Sequence, residues 1–255
     1  MATLIGRSLA GASLIVVLLV AWQGLALSGR VTPFMLPPLT AVLERIARDA
    51  ASGELALQLG ATLYRALAGF AVASVGGVAL GLLVARFAAL RWFFDPIISV
   101  GFPMPKIAFL PIVVLWLGFH DASKIAMVIV DAIFPVLTAT IAGAQAVPRE
   151  LLWSAKSMGA SDRQAWREIV LPAALPELLT GLQVALPISL IVCIVAEMMT
   201  GGVGLGGAMI KAMRFADSRG VFAAIVEIAL VGYVLVKLMG AARRRLLIWH
   251  PEAQR

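Results

Sequence analysis

At 255 residues, 61% hydrophobic and only 14% charged, the chain has a mean hydropathy of +0.97; this excludes an ordinary soluble domain, in which roughly a quarter of residues are charged. The length accommodates five to seven membrane spans of about 20 residues and little else. The net charge of +7 does not point to nucleic acid, because the basic residues fall between apolar runs or near the C-terminus, where they orient a membrane protein.

Residues 9–27 form the first apolar run. It is longer than a secretory signal core, and further spans follow it, so it reads as a span. In "PPLTAVLERIARD" at 37–49, Thr40 is placed to cap a short helix with Val42, Leu43, Ile46 and Ala47 on its apolar side, lying at the outer surface. The second span, 61–85, carries Gly69, Ala73, Gly77, Gly81 and Ala85 at four-residue spacing, a ridge that lets another helix approach closely. The third, 96–118, is interrupted by Pro103, Pro105 and Pro111, which remove backbone donors. The fourth covers 123–143 and the fifth 173–200, which holds the single Cys193; one cysteine permits no intrachain disulfide and reads as a packed residue. "GGVGLGG" at 201–207 lacks the Gly-Lys-Ser/Thr ending of a phosphate loop and reads as a flexible outer loop. The sixth span is 221–241.

Six helices place both termini on one side. If that side is the cytoplasm, its segments hold eleven basic residues against seven outside, including the cluster Arg243, Arg244 and Arg245 directly after the last span, so both termini are expected inside.

Between spans four and five the chain turns polar, over residues 147–172. Pro148 suits the first position of a helix, Glu150 favours its positive end, and Gly159 can end it in a left-handed conformation. Ser161 followed by Gln164 is a capping box, and the helix it opens is expected to stop before Pro172. The expectation is a hairpin of two helices of about ten residues, too short and too charged to enter lipid. Trp153, Met158 and Trp166 would be costly to leave in water, so part of it packs on the bundle or is covered by a partner.

The spacing from Ala155 through Gly159 to Ile169, Leu171 and Pro172 resembles the "EAA" signature of permease subunits of bacterial ABC importers, with Trp153-Ser154 standing where the signature has Glu-Ala. More of the chain is similar to the nitrate, sulfonate and taurine branch: "LPPLTAVL" at 36–43, "TLYRALAGFA" at 62–71, "PMPKIAFLPIVVLWLGFHDASKI" at 103–125, "LPAALPELLTGLQVAL" at 171–186 and "VAEMMTGGVGLG" at 195–206. The resemblance implies an all-α, polytopic type I importer permease with a single domain over 1–255, in the bacterial inner membrane. It implies a coupling helix at the elbow that engages a cytoplasmic ATPase, with Ala155, Lys156, Met158, Gly159, Ala160, Ser161, Asp162, Ile169, Leu171 and Pro172 as the coupling residues. The implied partners are two ATPase subunits, a second permease copy, an extracytoplasmic solute-binding protein and membrane lipid.

Five of the charges within the apolar runs need explaining: Arg65, Lys106, Asp131, Glu197 and Glu227. Such charges face a cavity, a partner or an interface. Lys106 with Asp131 and Arg65 with Glu197 are candidate structural pairs; the functional alternative has Pro103, Lys106, Asp131, Glu197 and Met198 along the translocation path, with Lys106 attracting an anion.

No nucleotide-binding loop occurs in the sequence, so ATP and Mg belong to the partner ATPase and this chain is expected to bind no cofactor or metal and to catalyse no reaction. Taurine or another alkanesulfonate leads as cargo, ahead of nitrate, an aromatic carboxylate or a thiamine precursor. An ion-coupled secondary transporter is the reading from a different class, although no internal repeat supports it. An intramembrane hydrolase lacks a serine motif, and His120 and His250 lie at span ends or beyond.

Overall fold

The computed structural model describes the backbone of residues 2–249 and the side chains of 13–249. His250 lies outside the described residues, as do Arg255 and the side chain of Arg7, two of the eleven basic residues counted toward the cytoplasmic side. The described chain is helical: α1 (Ala2–Leu27), α2 (Leu39–Ala51), α3 (Glu54–Arg86), α4 (Ala88–Gly101), a 3-10 turn (Lys106–Phe109) leading into α5 (Leu110–Leu117), α6 (Asp121–Gln145), α7 (Arg149–Ser157), α8 (Asp162–Ala165), a π-helical turn (Trp166–Val170), α9 (Leu171–Thr200), α10 (Leu205–Arg214) and α11 (Ser218–Leu246). Contacts among the described residues cluster into two units, one from the chain up to residue 61 together with 201–230, the other from 62–200 together with the chain from 231 onward.

Among the described residues, four stretches are long and apolar enough to cross a membrane: α3, α6, the continuous run Asp162–Thr200, and α11. The apolar part of α1 with described side chains, Ser13–Leu27, is shorter. The third expected span is corrected. Instead of one kinked helix over 96–118, α4 begins at Ala88 and meets the run Lys106–Leu117 at 89°. Pro103 and Pro105 lie in the break, where their missing N–H groups cannot continue a ladder. The described residues thus hold four candidate spans and this broken one, with α1 described only in part.

In the second unit the small-residue ridge on α3 meets α6. A Cβ on Gly69 would come within 2.5 Å of Val128 Cγ1, one on Gly77 within 2.9 Å of Val136 Cβ and one on Gly81 within 2.7 Å of Thr140 Cβ. Both series advance by the same steps, so α3 and α6 run parallel, in contact along about three turns. α9 packs antiparallel on α6, where Gly181 faces Pro135 and Ala139 while Gly143 faces Ala174 and Glu177. Ala73, Ala132, Val136 and Ala185 form the buried centre of this three-helix contact, flanked by Phe70, Val78, Ile133 and Leu182. Small residues on each helix let backbones meet where lipid supplies no hydrophobic driving force between helices.

In the first unit, α2 forms where a surface helix is expected, but Pro38 rather than Thr40 occupies its N-cap. The Thr40 hydroxyl instead accepts from Gln23 Nε2 at 3.4 Å. Val42 is fully buried while Leu43 and Ala47 are exposed. The glycine loop is also shorter than expected, because α10 starts at Leu205 inside it. Arg45 donates to Asp49 at 2.8 Å and to Asp217 at 2.5 Å. Partial burial pushes the Asp217 carboxyl up, but the Gly220 N–H and the Arg45 guanidinium outweigh it and hold its pKa below the usual carboxylate value.

Candidate functional site

The polar segment folds as a hairpin whose elbow is set by two local devices. α7 starts after Pro148, which is the N-cap rather than the first helical residue. At its other end Gly159 takes φ +89°, with Gly159 N–H donating to Lys156 O at 2.9 Å and Ala160 N–H to Ala155 O at 3.0 Å. This pair of bonds closes the helix around a left-handed residue, a conformation in which a Cβ is strained. α8 then opens with the expected capping box: the Ser161 hydroxyl accepts from Gln164 N–H at 3.3 Å, and Gln164 Oε1 accepts from Ser161 N–H at 2.9 Å. Lys156 and Asp162 pair across the elbow at 2.8 Å.

The second arm differs from expectation. It does not end before Pro172 as a separate helix of about ten residues; α8 spans four residues and passes through the π-turn directly into α9. Leu171 N–H donates to Trp166 O, one residue further back than in an α-helix. The wider turn accommodates the ring and the missing donor of Pro172 without breaking the rod. Asp162–Thr200 is thus one helical run of 39 residues, long and apolar enough to cross a membrane.

Of the residues expected to couple to an ATPase, Ala155 is buried, while Lys156, Met158, Gly159, Ser161 and Asp162 are exposed; Ala160 and Ile169 are intermediate, and Leu171 and Pro172 lie exposed in the first turn of α9. Met158 is 80% exposed and Trp153 63%, a concentration of apolar surface on an otherwise charged hairpin. Trp166 is partly covered, with the Arg86 guanidinium 5.6 Å from its ring centre. Sequence reasoning missed this contact between the end of α3 and the hairpin; the signal was a lone arginine ending a span opposite a tryptophan.

The intramembrane charges form two clusters. Lys106 Nζ donates to Asp131 Oδ1 at 3.1 Å, Phe102 O at 3.3 Å and Met104 O at 3.4 Å, and lies 4.6 Å from the Phe134 ring centre. Its donors are engaged by the chain ends at the α4–α5 break and by α6. Arg65 Nη1 donates to Glu197 Oε1 at 2.6 Å, while its Nε donates to Asp121 Oδ1 at 2.7 Å. The Thr62 hydroxyl donates to Glu197 Oε2 at 2.8 Å. Glu197 has no exposure. Both ion pairs expected from sequence are present, and Asp121 is an additional partner that sequence reasoning missed because it precedes the fourth apolar run.

Asp121 and Asp131 are separated by about 15 Å along α6 at 1.5 Å per residue. Pro103, Lys106 and Asp131 therefore gather at one level, and Glu197, with Met198 beside it, at another. The five residues named for the translocation path do not converge on one site.

Residues 77–248 match the family described as binding-protein-dependent transport system inner membrane component. The taurine transport system permease protein TauC of Escherichia coli is 33% identical over 243 residues, covering 93% of this chain and 88% of that protein. The putative aliphatic sulfonates transport permease protein SsuC of Bacillus subtilis is 30% identical, with 91% and 84% covered; the nitrate import permease protein NrtB of Leptolyngbya laminosa is 31% identical over 78% of this chain and 70% of that protein. Among solved structures, an inward-facing conformation of the MetNI methionine ABC transporter matches with a TM-score of 0.65 at 18% identity, covering 74% of this chain and 94% of that one, a likeness of fold. The chain belongs to the inner-membrane components of binding-protein-dependent transport systems, as the multi-pass permease subunit of an ABC importer.

Proposed function

We propose that two copies of this chain form the pathway of an importer for taurine or another alkanesulfonate, delivered by an extracytoplasmic binding protein and powered by two ATPase subunits that hold the ATP and Mg. Both termini and the hairpin face the cytoplasm in this reading, and the ATPase docks on the elbow between Ala155 and Asp162. The observation that carries the coupling role is the capped, apolar-tipped hairpin built into the same rod as α9. Exposed Trp153 and Met158 are the kind of side chains that a partner groove desolvates. The similarity to TauC and SsuC supports a sulfonate cargo.

The test is uptake of labelled taurine into proteoliposomes containing the permease, its ATPase and the binding protein encoded beside it. ATP-dependent uptake that unlabelled alkanesulfonates suppress and nitrate does not is the expected result. Suppression by nitrate alone would overturn the cargo while leaving the importer class intact.

A further inference from the structure

α11 is the least buried of the four candidate spans: 11% of its apolar stretch is covered, against 28% to 50% for the other three. On its exposed surface Val234, Val236 and Leu238 suit acyl chains, but cations interrupt them. Lys237 is exposed although it lies well inside the end of the helix at Leu246, and Arg244 is exposed in the last turn. Tyr233, Lys237, Gly240 and Arg244 follow one another at steps of four, three and four residues, so they share one helix face.

Both cationic heads fold back along that face. Lys237 Nζ lies 5.3 Å from the ring centre of Tyr233, one turn nearer the start of the helix, and Arg244 Nη1 lies 3.8 Å from where a Cβ on Gly240 would stand. Lys237 thus turns its ammonium away from the polar end of α11 instead of snorkelling toward it, a costly arrangement in lipid unless an anion comes to meet it. The chain itself supplies none nearby. No acidic residue occurs from Ile228 to Trp249, and neither Lys237 nor Arg244 has an ion-pair partner among the described residues. Arg243 differs, because it donates to Gln183 on α9. Glu177, the acidic residue nearest to Gln183 along α9, packs against Gly143 of α6 and so occupies another face of that helix.

We infer that the Lys237–Arg244 face of α11 binds the phosphate of an anionic phospholipid, with the headgroup over Gly240 and the acyl chains along Val236 and Val234. α9 leaves the hairpin and α11, the next candidate span, returns, so the lipid belongs to the leaflet on the hairpin side. Gly240 leaves the space between the two heads free of a side chain. A lipid fits this face because its anionic head answers the cations while its tails cover the apolar side chains beside them. The site is independent of which solute is carried.

The test places a benzophenone amino acid at Val236, one turn before Gly240 on the same face, in the full permease–ATPase complex. The complex is held in nanodiscs of equal phosphatidylglycerol and phosphatidylcholine, and mass spectrometry of the photoproducts gives the ratio of the two lipids captured at this position. Phosphatidylglycerol is expected to exceed phosphatidylcholine by about tenfold or more, since each cation near the headgroups favours an anionic lipid by about fivefold. Lys237→Gln with Arg244→Gln should bring capture of the two lipids to parity. Lys237→Arg with Arg244→Lys should keep most of the preference, which separates loss of charge from loss of fold. Excess inorganic phosphate should leave the ratio unchanged. Equal capture of both lipids by the native face, an unchanged ratio in the double glutamine variant, a preference abolished by inorganic phosphate, or crosslinking to a second copy of the chain in place of lipid would each overturn the proposal.

Discussion

Arg65→Met is expected to destabilise the folded chain by about 3–5 kcal/mol, the usual cost of removing one member of a buried ion pair. The side chain is nearly buried and ties three helices together: it rises from α3, reaches Glu197 on α9 at 2.6 Å and Asp121 at the start of α6 at 2.7 Å. Without it, the fully buried Glu197 carboxylate loses the guanidinium that offsets its desolvation. Thermal unfolding of the detergent-purified protein reads the effect directly. The double variant Arg65→Met with Glu197→Gln should recover most of the loss, since a neutral amide can still accept from Thr62 and the pair couples strongly. An Arg65→Met midpoint indistinguishable from that of the parent chain would show that the pair contributes little to holding α3, α6 and α9 together.

The second large effect is functional. Gly159→Val should abolish stable ATPase association and ATP-driven uptake while leaving the body of the permease folded. A Cβ at this position meets nothing within 4 Å, so crowding is not the cause. The cost is backbone strain at φ +89°, of order 1–3 kcal/mol, relieved by letting the elbow open and the two closing hydrogen bonds break. Gly159→Asn tests that explanation, because asparagine visits the left-handed region more readily; it should retain a substantial share of both activities. Co-purification of the ATPase and uptake by proteoliposomes are the readouts, and full activity in the valine variant would contradict the account.

Much of this site was legible before the fold was known. Ser161 with Gln164, Gly159 and the small residues from Gly69 to Gly81 each carry a local physical instruction, and each is obeyed. The charge pairs were legible for a related reason: few ionisable groups lie at membrane depth, so the combinations are few. What was not legible depended on how one element continues into another. Pro172 reads as a stop because proline ends most helices, but a π-turn upstream absorbs it, and nothing in the local composition announces that turn. Pro103 and Pro105 signal a break without fixing its angle, which the Lys106 bonds to Phe102 O, Met104 O and Asp131 define in space. α10 was hidden because its second and third residues are glycines; Leu205, Gly206 and Gly207 are buried all the same, and packing there overrides intrinsic propensity.

The central mechanical claim is that the hairpin and α9 move as one piece. A rod without a hinge transmits displacement from elbow to membrane interior, whereas a flexible joint at Trp166–Val170 would dissipate it. The most direct measurement is the distance between spin labels at Arg163, beyond the π-turn, and Val184, an exposed position on α9, in the assembled transporter with and without ATP. The account predicts an unchanged, narrow distance distribution in both states, while a third label on α6 records relative movement of the rod. A distribution that shifts or broadens on ATP binding while α9 stays fixed against α6 would contradict it.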